Sequence, residues 1–239
     1  MNLDGYIYTN KGGREHNEDA AALEEKDGNG IYIVADGLGG HINGQIASRC
    51  VTDALIESWN IHSKTEEQFF LNNQIVSANQ KLLDLQKEMH CTMKSTIVAL
   101  EINGSRAIWA HVGDSRLYYL HRNSICDITQ DHSVAYKKYK AREITRAQIA
   151  QDEDQSCLLQ ALGSGQCEPD VHIQEFLESG DAFLLCSDGA WEYLYDEEIL
   201  IDFLKAETAN KWAKLLLLRI FERQKPECDN LTILTVIVN

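Results

Sequence analysis

Proline is scarce in this chain, with 2 in 239 residues, and Lys and Arg number only 22 against 37 Asp and Glu. The few prolines, and the lack of any Ser/Gly-rich or charge-block stretch, leave no sign of a linker. The shortage of cations gives a formal net charge of −15, a sign that repels phosphate backbones and anionic lipid and so argues against nucleic-acid and membrane-surface partners. The 7 cysteines are scattered and never form C-x-x-C, so neither a disulfide framework nor a zinc ribbon is indicated. They read as reduced, small hydrophobes of a cytoplasmic protein. No window approaches the roughly 18 apolar residues of a membrane span, because the longest candidate, WAKLLLLRIF, is broken by Lys214 and Arg219. The start, MNLDGYIYTN, lacks the basic and apolar regions of a leader. These absences predict one soluble domain over 1–239.

At 44% apolar residues the chain can bury a large core. Short apolar or alternating runs recur at 5–9, 31–35, 95–102, 106–112, 116–121, 171–177, 182–187 and 231–238, with turn residues between many of them. Ala47, Val51, Leu55 and Trp59 recur every fourth residue, and Leu71, Ile75, Ala78, Leu82, Leu85 and Met89 alternate four and three. A late segment repeats the pattern with Ala209, Trp212, Leu216 and Ile220. Such stripes belong to helices that cover a sheet with one apolar face. The order of elements predicts α+β layers with antiparallel strands. The segment 133–160 is polar and charged, and reads as a small helical excursion on the surface.

Four Asp-Gly dipeptides occur. Asp4-Gly5 and Asp27-Gly28 sit in polar surroundings and read as turns. Asp36 and Asp188 instead end the apolar runs IYIVA and FLLCS. A carboxylate delivered by a buried strand is costly unless it is paired or holds a metal. Asp19, Asp114 and Asp229 stand in like positions at the ends of strand-like runs. Hard oxygen ligands without His or Cys select magnesium, manganese or calcium, and the first two suit phosphate chemistry. The glycine of Asp36-Gly37 lets a carbonyl approach an ion closely. Arg14, five residues before Asp19, offers a fork for a phosphate.

These segments, REHNEDA, VADGLGGHINGQIAS, STIVAL, HVGDSRLYYL, TQDHS, LLQALGS, FLLCSDGAWEYL and CDNLTIL, run almost end to end in order. On them the chain resembles the bacterial type of the metal-dependent protein serine/threonine phosphatases, type 2C. The resemblance implies a β-sandwich of two antiparallel sheets flanked by helices on both outer faces, with a flap at about 133–160. It implies two Mn2+ or Mg2+ ions, with a weaker third. Asp36 would bridge the pair, Asp188 and Asp229 would complete the first site, and the Gly37 carbonyl would join Asp36 at the second. Glu18 and Asp19 would hold metal-bound waters, Asp114 with Asp188 would make the third site, and Arg14 would grip the phosphate. The implied reaction is in-line attack on phosphoserine and phosphothreonine by a metal-bridging hydroxide, in a monomer that opposes a Ser/Thr kinase. Leu38 stands where eukaryotic-type members carry a histidine, which leaves a metal-bound water, or His41, to protonate the leaving group. The acidic stretch QDEDQSC replaces basic residues common in bacterial flaps. The rival readings are a pseudophosphatase, for which no ligand is missing, and a two-metal hydrolase of small phosphoesters.

Overall fold

The computed structural model describes residues 1–39, 42–62 and 70–239. Its strands and helices build two five-stranded antiparallel sheets with helices on both outer faces. The first sheet has the order β1 (Leu3–Asn10), β12 (Leu231–Val238), β11 (Ala182–Cys186), β8 (Arg116–His121), β9 (Ser124–Ile128). The second runs β10 (Asp170–Gln174), β7 (Arg106–Val112), β6 (Ile97–Asn103), β3 (Asn29–Ala35), β2 (Ala20–Lys26). A two-stranded ladder, β4 (Gly37–Leu38) with β5 (Lys94–Ser95), extends the chain just beyond Asp36.

The strand period decides which layer each side chain enters. In β3, Tyr32 and Val34 face the other sheet, where they meet Phe183, Leu185, Leu234 and Val236. Ile31 and Ile33 face outward, against the helices α1 (Ile42–His62) and α2 (Phe70–Met89). Both faces of β3 are therefore covered, which is why its sequence is an unbroken apolar run rather than an alternation. The first sheet packs its outer face on α5 (Asp196–Leu204) and α6 (Ala209–Arg223). Trp212, fully buried there, is worth roughly 3–5 kcal/mol against alanine. The segment 133–160 carries α3 (Val134–Lys140), capped by Ser133, and a 3-10 turn at Arg146–Gln151.

The apolar stripes fall on the helices the periodicity assigns them, and all four residues of the α1 stripe are buried. Asp27-Gly28 is the hairpin turn between β2 and β3, both residues having positive φ. Asp4-Gly5 is not a turn. It lies inside β1, and Asp4 Oδ2 accepts the Ala209 N–H at 2.8 Å, satisfying an orphan donor at the start of α6. Strand β9, the one-turn α4 (Asp188–Trp191) and α5 have no counterpart in the sequence reading, and the run at 171–177 forms a strand only to Gln174.

Candidate metal centre

One end of the sandwich gathers the acidic residues that terminate strands. Asp36 follows β3, Asp114 lies between β7 and β8, and Asp188 begins α4 directly after β11 and Ser187. Asp229 immediately precedes Asn230 and β12, and Asp19 immediately precedes β2. Two glycines make this convergence sterically feasible. A Cβ on Gly37 would meet the Gly44 carbonyl oxygen at 2.0 Å, and one on Gly189 would meet the Asn230 carbonyl oxygen at 2.1 Å. In both Asp-Gly pairs the glycine lets a second backbone come against the carboxylate-bearing loop. A Cβ on Gly44 would strike Glu18 Oε2 at 1.8 Å, so Glu18 occupies the notch that this glycine leaves.

The electrostatics record the crowding. Asp19 and Asp114 are buried, whereas Asp36, Asp188 and Asp229 open partly to solvent. Burial, then repulsion by Asp19, Asp188, Asp114 and Asp229, holds Asp36 well above the usual carboxylate range. Burial ahead of repulsion by Asp188 does the same to Asp114. Asp19 is pushed up to about 7 and Asp188 to about 6, burial again being the largest cause. Asp19 Oδ1 and Asp188 Oδ1 are buried without a hydrogen-bond partner. Such oxygens, in a cluster whose acids raise one another, fit hard divalent cations, which would satisfy both the lone pairs and the charge.

Among the described residues, the only trio of His, Cys, Asp or Glu with ligand atoms mutually within 4.8 Å is His111, His132 and Asp170. The aspartates thus form no single-ion cage; their spread suits more than one ion, each retaining waters. The histidine trio is a different arrangement. His132 Nδ1 accepts the Gly113 N–H at 3.2 Å, so Nε2 carries the proton and faces Asp170 Oδ2 at 3.4 Å. A protonated nitrogen is no ligand, and the trio serves to brace the loop before Asp114.

Several side chains that the sequence reading did not assign hold the acids in place. Ser187 Oγ donates to Asp19 Oδ2 at 2.7 Å and accepts the Thr232 N–H. Thr96 Oγ1 accepts the Asp36 N–H at 2.9 Å, and the Thr96 N–H donates to the Asp36 carbonyl at 2.8 Å. Asn230 accepts the Glu18 N–H and donates to the carbonyls of Lys11 and His16, tying the two chain regions together. Trp191 Nε1 donates to the Asp114 carbonyl at 2.9 Å, while its ring lies 3.6 Å from the Arg116 guanidinium. These residues lie in or beside STIVAL, FLLCSDGAWEYL and CDNLTIL, but Ser, Thr and Asn there are indistinguishable from turn residues without the fold.

Arg14 reaches the cluster by an unexpected contact. Its guanidinium donates to Asp229 Oδ2 at 2.7 Å, where a free phosphate grip was anticipated. The loop is held there because Gly12, at φ 58°, packs on the Asp229 carbonyl. Gln155 Nε2, from the acidic stretch, lies 3.5 Å from Asp188 Oδ2. His41 lies outside the described residues.

Comparison with known proteins matches this arrangement to one group. The chain is 35% identical over 202 residues to "Serine/threonine phosphatase stp" of Listeria welshimeri, covering 81% of this chain and 79% of that protein. The fold superposes on the Mycobacterium tuberculosis serine/threonine phosphatase PstP/Ppp with a TM-score of 0.88, at 26% identity and 99% coverage of both chains. A second structure, the catalytic domain of PstP in complex with 2 manganese ions, gives 0.84 at 25% identity and 99% coverage of each. The family model described as protein phosphatase 2C matches residues 10–214, a span that begins just before Arg14 and takes in Asp36, Asp114 and Asp188. The chain belongs to the protein phosphatase 2C family.

Proposed function

We propose that this protein removes phosphate from phosphoserine and phosphothreonine in proteins, using manganese or magnesium held by the aspartate cluster. The observation that carries the reading is that cluster itself, in which two buried oxygens lack any donor and the acids raise one another's affinity for protons. Asp36 would contribute to both sites, Asp188 and Asp229 would complete the first, the Gly37 carbonyl would join Asp36 at the second, and Glu18 and Asp19 would hold metal-bound waters. Asp114 and Asp188 would hold a weaker third ion. When bound, the ions supply an acidified water and the positive charge that a phosphate monoester requires.

The chain's own residues do the rest. Arg14 orients the phosphate beside Asp229, from which its guanidinium is one hydrogen bond away. Ser187, Thr96 and Asn230 keep the carboxylates aimed by fixing the loops on which they stand. His41 or solvent delivers the proton to the departing side-chain oxygen. The relatives named serine/threonine phosphatases support protein substrates, products of a Ser/Thr kinase. No helix among the described residues is long and apolar enough to cross a membrane. The reading takes the protein as a monomer acting in the cytoplasm, with 133–160 as a flap on a single catalytic domain.

Phosphate release from a phosphothreonine peptide, with manganese and with excess chelator, tests the reading. Activity only with the metal is expected. Full activity in chelator overturns it.

A further inference from the structure

The acids at the end of the sandwich account for Asp188 but not for the hollow one helical turn beyond it. This cavity, of about 200 Å³, lies between the 3-10 turn, which contributes Arg146 and Ile149, and the segment bearing Trp191, Glu192, Tyr195 and Glu197. It is smaller than the roughly 300 Å³ at which sites for drug-sized ligands begin. One long side chain is the occupant it suits.

The charges in its wall decide which side chain. Its cations are matched already. Arg116 is held by both oxygens of Asp131, at 2.8 and 2.7 Å, and Arg146 bonds to Asp196 at 2.7 Å. Its remaining carboxyls are not: Glu192, half-buried, and Glu197, exposed, have no side-chain hydrogen bond or ion pair within the described residues. Burial, ahead of repulsion by Asp188 and Asp229, pushes the Glu192 carboxyl up to about 8, so it holds its proton at neutral pH until a cation seated beside it draws that proton off and pairs with the carboxylate. The neighbouring aromatics already stack cations, with Arg116 3.6 Å from the Trp191 ring and Arg223 5.1 Å from that of Tyr195.

The acidic stretch at 152–154 does not supply this charge. Asp152 and Asp154 both bond Lys138 Nζ at 2.8 Å, so two of its three carboxylates are turned onto one lysine, and none of the three lines the cavity.

We propose that this cavity binds the side chain of a Lys or Arg near the phosphorylated residue, making the enzyme selective for basic phosphopeptides. The proposal rests on the phosphatase reading above. Asp188 and Glu192 are four residues apart at α4 and its cap, on one face. One helical turn is about 5.4 Å, a distance that roughly two extended residues span. The selected Lys or Arg therefore lies within a few positions of the phosphate and always on the same side of it.

The test uses phosphothreonine peptides in an alanine background, each with one Lys at a single position from four before to four after the phosphoresidue. The readout is the ratio of kcat/KM between the Lys peptide and the all-alanine peptide, taken within each protein variant so that any change in basal rate cancels. The native enzyme should prefer Lys at one or two adjacent positions by roughly five- to tenfold, the size of one ion pair in a partly buried setting. Glu197→Gln should reduce that ratio by half or more, and Glu192→Gln/Glu197→Gln should bring it to about one. A native ratio near one at every position, or a preference that survives in Glu197→Gln and in the double variant, overturns the proposal. Hydrolysis of para-nitrophenyl phosphate by the native enzyme with manganese separates the two readings. Its absence defeats the phosphatase assignment, whereas its presence with flat peptide ratios defeats the pocket alone.

Discussion

Asp36 and Asp188 differ from Asp4 and Asp27 less in their own chemistry than in what their glycines touch. Gly37 and Gly189 press on other backbones, Gly28 closes a hairpin, and Gly5 sits in a strand. Asp36→Asn and Asp188→Asn, assayed with manganese, should each lower turnover at least a hundredfold while circular dichroism stays unchanged, because they remove charge and keep shape. Asp4→Asn should leave turnover alone. Arg14→Ala should raise KM for a phosphopeptide. It should also tighten manganese binding several-fold by calorimetry, since the guanidinium that occupies Asp229 Oδ2 is lost; unchanged affinity would mean that Arg14 and the metal do not compete. Glu101 gives a pH prediction away from the cluster. It is buried on the helix side of β6, and burial pushes its carboxyl up to about 7 from 4.5, with Arg106 opposing. The folded state therefore binds the proton more tightly than the unfolded one, so this contribution is full below about 4.5 and is lost as pH rises through about 7. Glu101→Gln should equal the native protein in urea stability at pH 4 and exceed it by about 3 kcal/mol at pH 8.

The elements carry the acids because of how they are anchored, and the anchoring explains what the sequence reveals. Gly189→Ala should cost both stability and manganese affinity, since its methyl would strike the Asn230 carbonyl and push α4 off β12. Differential scanning calorimetry with and without metal would show both. Strands β3, β11 and β12, buried on both faces, announce themselves as apolar runs, and α1, α2 and α6 as stripes. Five strand-end aspartates were legible for the same reason, because a carboxylate abutting such a run is out of place. Helix α5 was hidden by Asp202, which is buried at 2% exposure only because Arg219 from α6 holds both its oxygens. That pairing is non-local, and periodicity cannot register it. Edge strand β9 alternates exposed Ser124 and Cys126 with half-buried residues, too weak a pattern over 5 residues. Asp4 looked like a turn because Asp-Gly is a local signal, while its partner, the Ala209 N–H, is 205 positions away.

For the molecule as a whole, the −15 net charge and the crowded acids make the metal-free state the weaker one. Manganese at about 100 times its dissociation constant should stabilise the fold by about 2.7 kcal/mol per tight site. Thermal melts should therefore rise with manganese, reverse with chelator, and respond little in Asp36→Asn. The architecture sets where this protection is most exposed. Strand β1 is one edge of its sheet and pairs only with β12, Leu3 opposite Val238. Arg14, Glu18 and Asp19 follow β1 in the chain, and Asp229 and Asn230 precede β12, so one seam joins contributors more than 200 residues apart. Contacts of such separation close slowly. A nascent or refolding chain would thus acquire both layers of helices and most of its sheets before it could act on a substrate. Peeling this one edge strand, by a force or a competing chain, would disarm the enzyme long before it melted.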